Sequence, residues 1–313
     1  MYMALCGYVV VIPDYPGMGS NDDVHPYCHS SLGNSVVGMV ARGRDSLQND
    51  FTKIKGVVKW NGSVFLMGYS EGAYATMVAA KSMQTTMKDT FTVKAVATLD
   101  GPYSLSKTMR DLMVGIDPGY GAPYFLPYLL NAYDAVYYTG PTQGNKIDGF
   151  NFTSAILNGV PGFQGNYAQQ LRSLLDGTHG PEDIDAFMMR VNPYEGPRSV
   201  LQPAFITDLS DEGSIVVEKL RENDAFRDWV PEMPLMMFHH VSDDLVPYEN
   251  ALEALKGFVD KGAPYVGLMP YNAGLGSVES VHLAATPVAY TLGFAWLNLL
   301  AGEDDPTRLQ HSR

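Results

Sequence analysis

A serine between two glycines is the first residue of this 313-residue sequence whose type and setting could carry chemistry. Ser70 is the middle residue of GYSEG at positions 68–72, with an apolar run before it at 63–67 and a helix-like segment after it at 73–83. A G-x-S-x-G sequence in that context forms a sharp strand-to-helix turn that exposes the serine hydroxyl. Small flanking residues let the strand and the helix pass closely. Ser70 is therefore a candidate nucleophile.

A serine hydroxyl becomes an effective nucleophile when a base, itself held by a carboxylate, takes its proton. After such a turn, the acid and then a histidine are expected along the chain, each just past a later strand. Asp243 follows the apolar run at 235–238, and His282 follows the run at 265–269. Ser70, Asp243 and His282 thus occur in the expected order and are predicted to form a catalytic triad.

Asp244 is the alternative acid in the same turn. Asp243 is preferred because the turn D-x-x-V-P places it first. Asp244 is then expected to face solvent.

Other histidines are weaker candidates for the base. His239 and His240 end the run at 235–238 and are expected to shape the acid turn. Two adjacent histidines can bind a metal, but no further ligand has a suitable spacing, so no metal site is predicted. His25 and His29 lie on the loop after the first apolar run, where they could line a pocket.

The backbone N–H of Glu71 is predicted to stabilise an oxyanion. The first N–H groups of a helix point out of its positive end. A donor placed there stabilises the negative charge that develops on a substrate oxygen.

Short apolar runs alternate with segments of helical periodicity, which indicates an α/β fold. Strands are predicted at 7–12, 63–67, 93–99, 235–238 and 265–269, and helices at 35–47, 73–83, 248–256 and 287–300. This alternation is typical of parallel βαβ units with right-handed crossovers, and so of a mostly parallel sheet.

The alternation is interrupted between about 104 and 230, where the chain is rich in Tyr, Phe, Met, Pro and Gly. We interpret 1–103 and 231–313 as the α/β core and 104–230 as a large, mainly helical cap or lid inserted into it. Its aromatic side chains could form the wall of an apolar pocket as well as the core of the cap. The residues predicted to line the pocket are Tyr15, Tyr69, His25, Tyr124 and Phe125.

Composition excludes several kinds of partner. The formal net charge of −13 argues against nucleic acid and against anionic membrane surfaces. No apolar run reaches the roughly 18 residues of a membrane span, so no stable membrane insertion is expected. The apolar start lacks Lys and Arg and is interpreted as a strand, not a secretion signal. Cys6 and Cys28 are either two unrelated thiols, which we favour, or a single bridge.

Several stretches resemble the α/β-hydrolases, in particular the bacterial lipase-like carboxylesterases related to the secretory lipases. The resemblance spans residues 7 to about 140 and 235 to 300, and its stretches are GYVVVIPDYPGMGSN, HPYCHSSLGNSVVGMVARGR, WNGSVFLMGYSEGAYATM, DGPYSL, PYFLPYLLNAYDAVY and DDLVPYENA. It implies hydrolysis of a small-molecule ester through a serine acyl-enzyme, a helical lid and no cofactor. Family members are often exported, but the compartment of this protein is left open.

One part of the family's fold has no counterpart in this sequence. In the family, three strands and a loop that donates the second oxyanion N–H precede the strand that resembles 7–12. Three explanations stay open: a truncated or misassigned start, which we favour; a second chain or a homo-oligomer that completes the sheet; or a rearranged sheet with a substitute donor. Such a donor would come from the PDYPGMG loop at 13–19 or from the insertion.

Two other functions stay open beside ester hydrolysis. A serine peptidase or amidase would use the same triad and would need an acidic pocket for a substrate amine, for which Asp208, Asp211 and Glu212 are candidates. A non-catalytic binding protein on the same scaffold is the third possibility, suggested by the missing oxyanion loop.

Overall fold

The computed structural model describes residues 2–18, 24–50, 60–115, 119–139, 146–192 and 195–303. In this part of the chain, four parallel strands form one sheet in the order of the sequence: β1 (Ser63–Tyr69), β2 (Thr92–Leu99), β3 (Leu235–His240) and β4 (Val266–Tyr271). Each strand lies within a few residues of its predicted position. Strands of a parallel sheet are covered on both faces, so their sequences are short, continuous apolar runs. This pattern is what located the four strands in the sequence.

Helices make up most of the remaining secondary structure. They are α1 (Tyr2–Leu5), α2 (Leu32–Asp45), α3 (Glu71–Thr85), α4 (Arg110–Val114), α5 (Phe125–Tyr133), α6 (Phe152–Ala155), α7 (Tyr167–Ser173), α8 (Pro181–Met188), α9 (Pro203–Ser210), α10 (Ile215–Glu222), α11 (Glu249–Val259) and α12 (Val281–Glu303). One turn or so of π-helix extends three of these at 46–50, 105–109 and 134–138, and short 3-10 helices lie at 148–150 and 196–200.

The chain divides into two compact units. The first consists of 1–15, 30–103 and 228–313 and contains the sheet with α1, α2, α3, α11 and α12. The second consists of 16–29 and 104–227 and contains α4 to α10. It overlaps the predicted insertion from 104 to 227 and also includes the loop at 16–29.

The prediction of a strand at 7–12 is wrong. In the described ranges this stretch forms no regular element and pairs with no strand, and Val9, Val10 and Ile12 are exposed. It contacts the first unit through Tyr8, whose ring meets the edges of Phe65 and Phe294. β-branched, apolar composition is compatible with a strand, but a ladder also needs a neighbouring strand to supply its hydrogen bonds.

Helix α12 begins at Val281, well before its predicted start at 287. Pro287 therefore lies inside the helix instead of at its first position. A proline removes one N–H from the helix and leaves an earlier carbonyl without its donor. Here Thr286 Oγ1 donates to Leu283 O at 2.9 Å and so satisfies that carbonyl. The helix packs on the sheet through Ala285, Ala289 and Leu297.

By length and composition, the part of α12 from Val281 to Gly302 could also cross a membrane, which the search for an unbroken apolar run did not find. Core helices of water-soluble proteins share this property. About a quarter of this stretch (28%) is buried.

Cys6 and Cys28 are both free thiols and form no disulfide with each other.

A buried aromatic cluster organises the second unit. Tyr133, Tyr137 and Phe150 pack against one another at centroid distances of 5.2–5.4 Å. His29 meets the ring of Tyr137, whose hydroxyl lies 3.3 Å from His29 Nε2. Asn223 Nδ2 donates to the same hydroxyl oxygen at 2.8 Å, so the tyrosine proton is directed to the imidazole. His29 is thereby held as a neutral acceptor.

This arrangement predicts an acid-labile second unit. Burial lowers the pKa of His29 to about 4, against an ordinary value of 6.5. Between these two pH values the unfolded chain binds a proton that the folded chain does not, so stability falls as the pH falls from about 6.5 to 4. The loss expected from this one group is about 3 kcal/mol. Thermal and urea unfolding across that pH range measures it.

The matched variant is His29→Gln, which can still accept from Tyr137 but does not titrate. We expect its unfolding free energy to depend less steeply on pH between 4 and 6.5 than that of the wild type. Equal slopes for the two proteins would contradict the assignment.

Candidate active site

Ser70 lies at a strained turn between β1 and α3. Its φ of 56° places a non-glycine residue in the left-handed region, which is uncommon and costs free energy. The backbone N–H of Ser70 donates to Leu99 O at 2.8 Å, which ties the turn to β2. Strain held in this way projects a side chain out of the end of the strand.

The two glycines that flank the Ser70 turn, Gly68 and Gly72, lie in different steric environments. A Cβ on Gly68 would lie 2.1 Å from the carbonyl oxygen of Gly72, so only glycine fits there. A Cβ on Gly72 would meet nothing nearer than Tyr15 Oη at 3.9 Å, which is ordinary contact. The expectation that both glycines permit the close passage of strand and helix therefore holds for Gly68 alone.

The structure brings the three predicted catalytic side chains together. His282 Nε2 lies 2.9 Å from Ser70 Oγ, and His282 Nδ1 lies 2.6 Å from Asp243 Oδ2. Because a carboxylate only accepts, Nδ1 carries the proton and Nε2 accepts from the serine hydroxyl. The side chains of His282 and Asp243 are only 4% and 0% exposed, so water does not compete for this hydrogen bond.

Asp243 is held by its own turn. Its Oδ1 accepts from the backbone N–H groups of Leu245 at 2.9 Å and Val246 at 2.8 Å. Three donors, counting the imidazole, satisfy a charge that would otherwise be costly to bury. The D-x-x-V-P pattern thus fixes the acid by local hydrogen bonds.

Asp244 does more than face solvent, which is all that the sequence predicted. The residue is exposed, but its Oδ1 accepts from the backbone N–H of His282 at 2.8 Å and from Ser280 Oγ at 3.1 Å. Ser280 Oγ in turn accepts from Leu283 N–H at 3.3 Å. Together they cap the start of α12. The sequence gave no local signal for this contact, because the partners lie far apart along the chain.

The predicted pocket residues divide between the two units. Tyr69 and Tyr15 belong to the first: Tyr69 donates its hydroxyl proton to His282 O at 2.5 Å, and Tyr15 lies beside Gly72. His25, Tyr124 and Phe125 belong to the second unit. Phe125 there stacks on Tyr27 with centroids 5.6 Å apart and contacts Tyr124 at 4.3 Å, while His25 Nδ1–H donates to Pro16 O at 3.0 Å.

His239 and His240 lie at the end of β3 and contact the acid turn. His239 Nε2–H donates to Val246 O at 2.8 Å. The two ring nitrogens of His240 lie 3.1 Å from the backbone N–H groups of Ser242 and Ala273. Both rings are buried, and burial lowers the pKa of His239.

In the described part of the chain, one group of side chains has the spacing to hold a metal ion: Asp100, His239 and Asp243, with potential ligand atoms within 4.8 Å of one another. All three side chains already have hydrogen-bond partners, Asp100 with His240 N–H and Tyr271 Oη. His239 Nε2, the nitrogen 3.8 Å from Asp243 Oδ2, donates to a carbonyl, and Asp243 accepts three hydrogen bonds. The donor set therefore fits a hydrogen-bonded acid better than a metal centre.

Asp100 is the residue of this site that the sequence did not single out. It directly follows β2, its side chain is buried, and its φ of 48° is again left-handed. Its carboxyl group accepts from the N–H of His240 and the hydroxyl of Tyr271. The only signal in the sequence was its place at a strand end, which it shares with many turn residues.

The fold is similar to those of solved hydrolases. A hydrolase described as putative, from Legionella pneumophila, aligns with a TM-score of 0.73 and 23% identity over 96% of this chain and 72% of that chain. The rice cell wall degrading esterase LipA of Xanthomonas oryzae aligns at 0.69 and 24% over 92% and 70%. Lipase A of Candida antarctica in its closed state aligns at 0.56 and 18% over 90% and 56%.

The sequence is also similar to a secreted triacylglycerol lipase, LIP3 of Malassezia globosa, with 25% identity over 203 residues. Those residues are 58% of this chain and 43% of the lipase, so the chain spans less than half of that relative's length. No protein-family model matches the chain.

The chain therefore has the α/β-hydrolase fold, and the resemblance seen in the sequence is confirmed at the level of the fold.

The different environments of the two glycines give a direct test of the turn. We expect Gly68→Ala to lower the unfolding free energy by at least about 2 kcal/mol, because its Cβ collides with backbone that no side-chain rotation can move. Gly72→Ala should change stability by less than about 1 kcal/mol. Urea unfolding of both variants measures the difference, and equal losses would show that the turn is not built as described.

Proposed function

We propose that this protein is a serine carboxylesterase or lipase that cleaves its substrate through an acyl-enzyme. The observation that carries the proposal is the position of the His282 imidazole, which lies within hydrogen-bonding distance of both the Ser70 hydroxyl and the Asp243 carboxylate. A hydroxyl, an imidazole and a buried carboxylate in this order are the parts that nucleophilic hydrolysis requires. The similarity to lipases and esterases favours an ester as the substrate.

In the proposed reaction, Ser70 Oγ attacks the ester carbonyl carbon while His282 Nε2 takes the hydroxyl proton. Asp243 holds the imidazole in the tautomer with Nδ1 protonated and stabilises the imidazolium that forms. The tetrahedral intermediate collapses as the imidazolium returns its proton to the leaving alcohol, which leaves an acyl-serine. Water, deprotonated by His282, then attacks the acyl group, and the imidazolium returns this proton to Ser70 Oγ as the bond to the acyl group breaks and the acid is released.

The oxyanion of the intermediate is assigned to the start of α3. Glu71 is the first residue of this helix and directly follows the nucleophile, so its N–H lies at the positive end of the helix dipole. The Tyr15 hydroxyl is assigned as the second donor, because it lies beside Gly72, the residue that follows Glu71 in the helix. Burial raises the pKa of Tyr15 to about 12, so the phenol keeps its proton at neutral pH. The loop at 13–19 was one of the two predicted sources of such a donor.

The second unit is assigned the role of a cap that selects the substrate. Its aromatic residues Tyr27, Tyr124 and Phe125 form a contiguous group, and aromatic walls suit acyl chains and aromatic esters. The buried cluster around Tyr133 provides the separate core that such a cap needs.

The peptidase alternative has less support. It needs an acidic residue whose charge is available to a substrate amine. Glu212, one of the candidates, pairs with Arg110 at 2.6 Å and with Arg221 at 2.9 Å, so its charge is already compensated. Asp211 Oδ1 accepts from Gly213 N–H within its own turn.

Replacement of the nucleophile tests the proposal. We expect Ser70→Ala to lower kcat/KM for a nitrophenyl ester by about 10⁴-fold or more, with the folded state retained. Ser82→Ala, on the same helix and outside the site, is the control and should keep wild-type activity. A fluorophosphonate should label wild type and Ser82→Ala but not Ser70→Ala.

Parallel assays with an ester and an aminoacyl amide of matched acyl group separate the esterase from the peptidase. Hydrolysis of the amide in preference to the ester would favour the peptidase. Wild-type protein that neither labels nor hydrolyses either compound would favour the binding protein and refute the proposal.

The role of Tyr15 has its own test. Removal of its hydroxyl in Tyr15→Phe is expected to lower kcat by about 100-fold with little change in KM, because an oxyanion donor acts in the transition state. Tyr265→Phe, which removes a hydroxyl from an exposed tyrosine, is the control. An unchanged kcat in Tyr15→Phe would remove this residue from the mechanism.

A further inference from the structure

Asp100 joins three strands at the edge of the sheet where the proposed site lies. The register pairs Tyr69 of β1 with Leu99 of β2, and Leu99 with Phe238 of β3, so Ser70 and Asp100 leave the sheet at the same level. The backbone N–H of Asp100 donates to Phe238 O at 2.9 Å. Its side chain is fully buried under this edge.

The Asp100 carboxyl group connects the ends of β3 and β4. Oδ1 accepts from His240 N–H at 2.7 Å, and Oδ2 is 2.7 Å from Tyr271 Oη. His240 is the last residue of β3 and Tyr271 the last of β4. The segment after β3 leads to Asp243, and the segment after β4 leads to His282. Asp100 therefore lies between the two chain segments that must place the acid and the base together.

Asp100 and Asp243 cannot both carry a charge without a large cost. Their nearest carboxylate oxygens lie within 4.8 Å in a site from which water is excluded, where like charges repel strongly. Asp243 has two backbone N–H donors and the imidazole to satisfy a negative charge. Asp100 has one backbone N–H and one phenol. The proton that the pair shares therefore belongs on Asp100.

The other groups around Asp100 agree with that assignment. The titratable side chains that face it are Tyr69 from β1, Tyr103 from the segment after β2, His239 from β3, Asp243 from the acid turn, Tyr271 from β4 and His282 from α12. Burial raises the pKa of Asp100 well above its ordinary value, although the hydrogen bonds from His240 and Tyr271 act against the rise, and the charge of Asp243 adds to it.

We propose that Asp100 is a positioning residue of the active site. As a neutral acid it ties the ends of β3 and β4 together, and it leaves Asp243 as the single negative charge that contacts the imidazole. In this form Oδ1 accepts from His240 N–H, and Oδ2–H donates to Tyr271 Oη. This is the reverse of the direction that an ionised carboxylate requires, so the phenol proton then points away from Asp100. The inference rests on the proposed function for its effect on rate, but its effect on geometry can be measured separately.

Three variants separate the contributions. Asp100→Asn keeps the shape, tolerates a left-handed φ and can accept from His240 N–H, but it does not ionise. Tyr271→Phe removes one hydrogen bond and leaves the acid. Asp100→Ala removes both hydrogen bonds and adds backbone strain. Asp228→Asn, at another aspartate with a left-handed φ of 57°, is the control outside the site.

The first measurement is the NMR resonance of the His282 Nδ1 proton, which is shifted far downfield when the imidazole donates to a buried carboxylate. We expect wild type, Asp100→Asn and Asp228→Asn to keep it, and Tyr271→Phe to broaden it by faster exchange with water. In Asp100→Ala it should be lost while circular dichroism shows a folded protein. A resonance unchanged in both Asp100→Ala and Tyr271→Phe would overturn the proposal; if Asp100→Ala does not fold, Tyr271→Phe decides alone.

The second measurement is the rate of ester hydrolysis, with kcat and KM determined separately. We expect Tyr271→Phe and Asp100→Ala to lower kcat by about 10- to 100-fold with KM within twofold. Asp100→Asn should restore most of that rate, because the amide can make the same hydrogen bonds without a charge. A kcat for Asp100→Asn as low as that of Asp100→Ala would overturn the charge assignment. Wild-type protein with the NMR behaviour above but no hydrolysis would refute the esterase and leave the positioning role intact.

Discussion

The hydrogen bond between the His282 imidazole and the Asp243 carboxylate is the contact on which the candidate site depends. It is 2.6 Å long, and both side chains are almost inaccessible to water. In that environment a carboxylate is stable only if donors satisfy it, and the turn after β3 supplies two backbone N–H groups. The imidazole is fixed in one tautomer as a result, and its other nitrogen is left to face Ser70.

The side chains of the candidate site are held at the ends of regular elements. Ser70 directly follows β1, in a left-handed conformation that Gly68 makes possible. His282 lies in the first turn of α12, where Asp244 accepts from its backbone N–H while Asp243 accepts from its ring. Two neighbouring aspartates therefore hold one histidine, one by its ring and the other by its backbone. Sites built on element ends in this way need little reorganisation when a reaction begins.

The sequence could locate these side chains because their signals are local. A motif, a strand-to-helix boundary and the order along the chain were enough to select Ser70, Asp243 and His282, and apolar periodicity located the four strands. The contacts of Asp244 and Asp100 join residues far apart along the chain, so no window of sequence reveals them. The error at 7–12 has a similar cause, since a strand is defined by its neighbour, and the start of α12 was missed because Thr286 compensates for Pro287.

Three aspartates at one edge of the sheet have the same side chain but different environments, and the environment determines the charge that each can carry. Asp244 is exposed and can carry its charge in water while it caps α12. Asp243 is buried but surrounded by donors, so it can carry a charge against the imidazole. Asp100 is buried with fewer donors and lies next to Asp243, and burial raises its pKa well above its ordinary value. Because like charges in a low-dielectric site favour one shared proton, the acid with the poorer set of donors becomes the neutral one. The number of hydrogen-bond donors around each carboxyl group therefore decides which of the aspartates can stabilise an imidazolium.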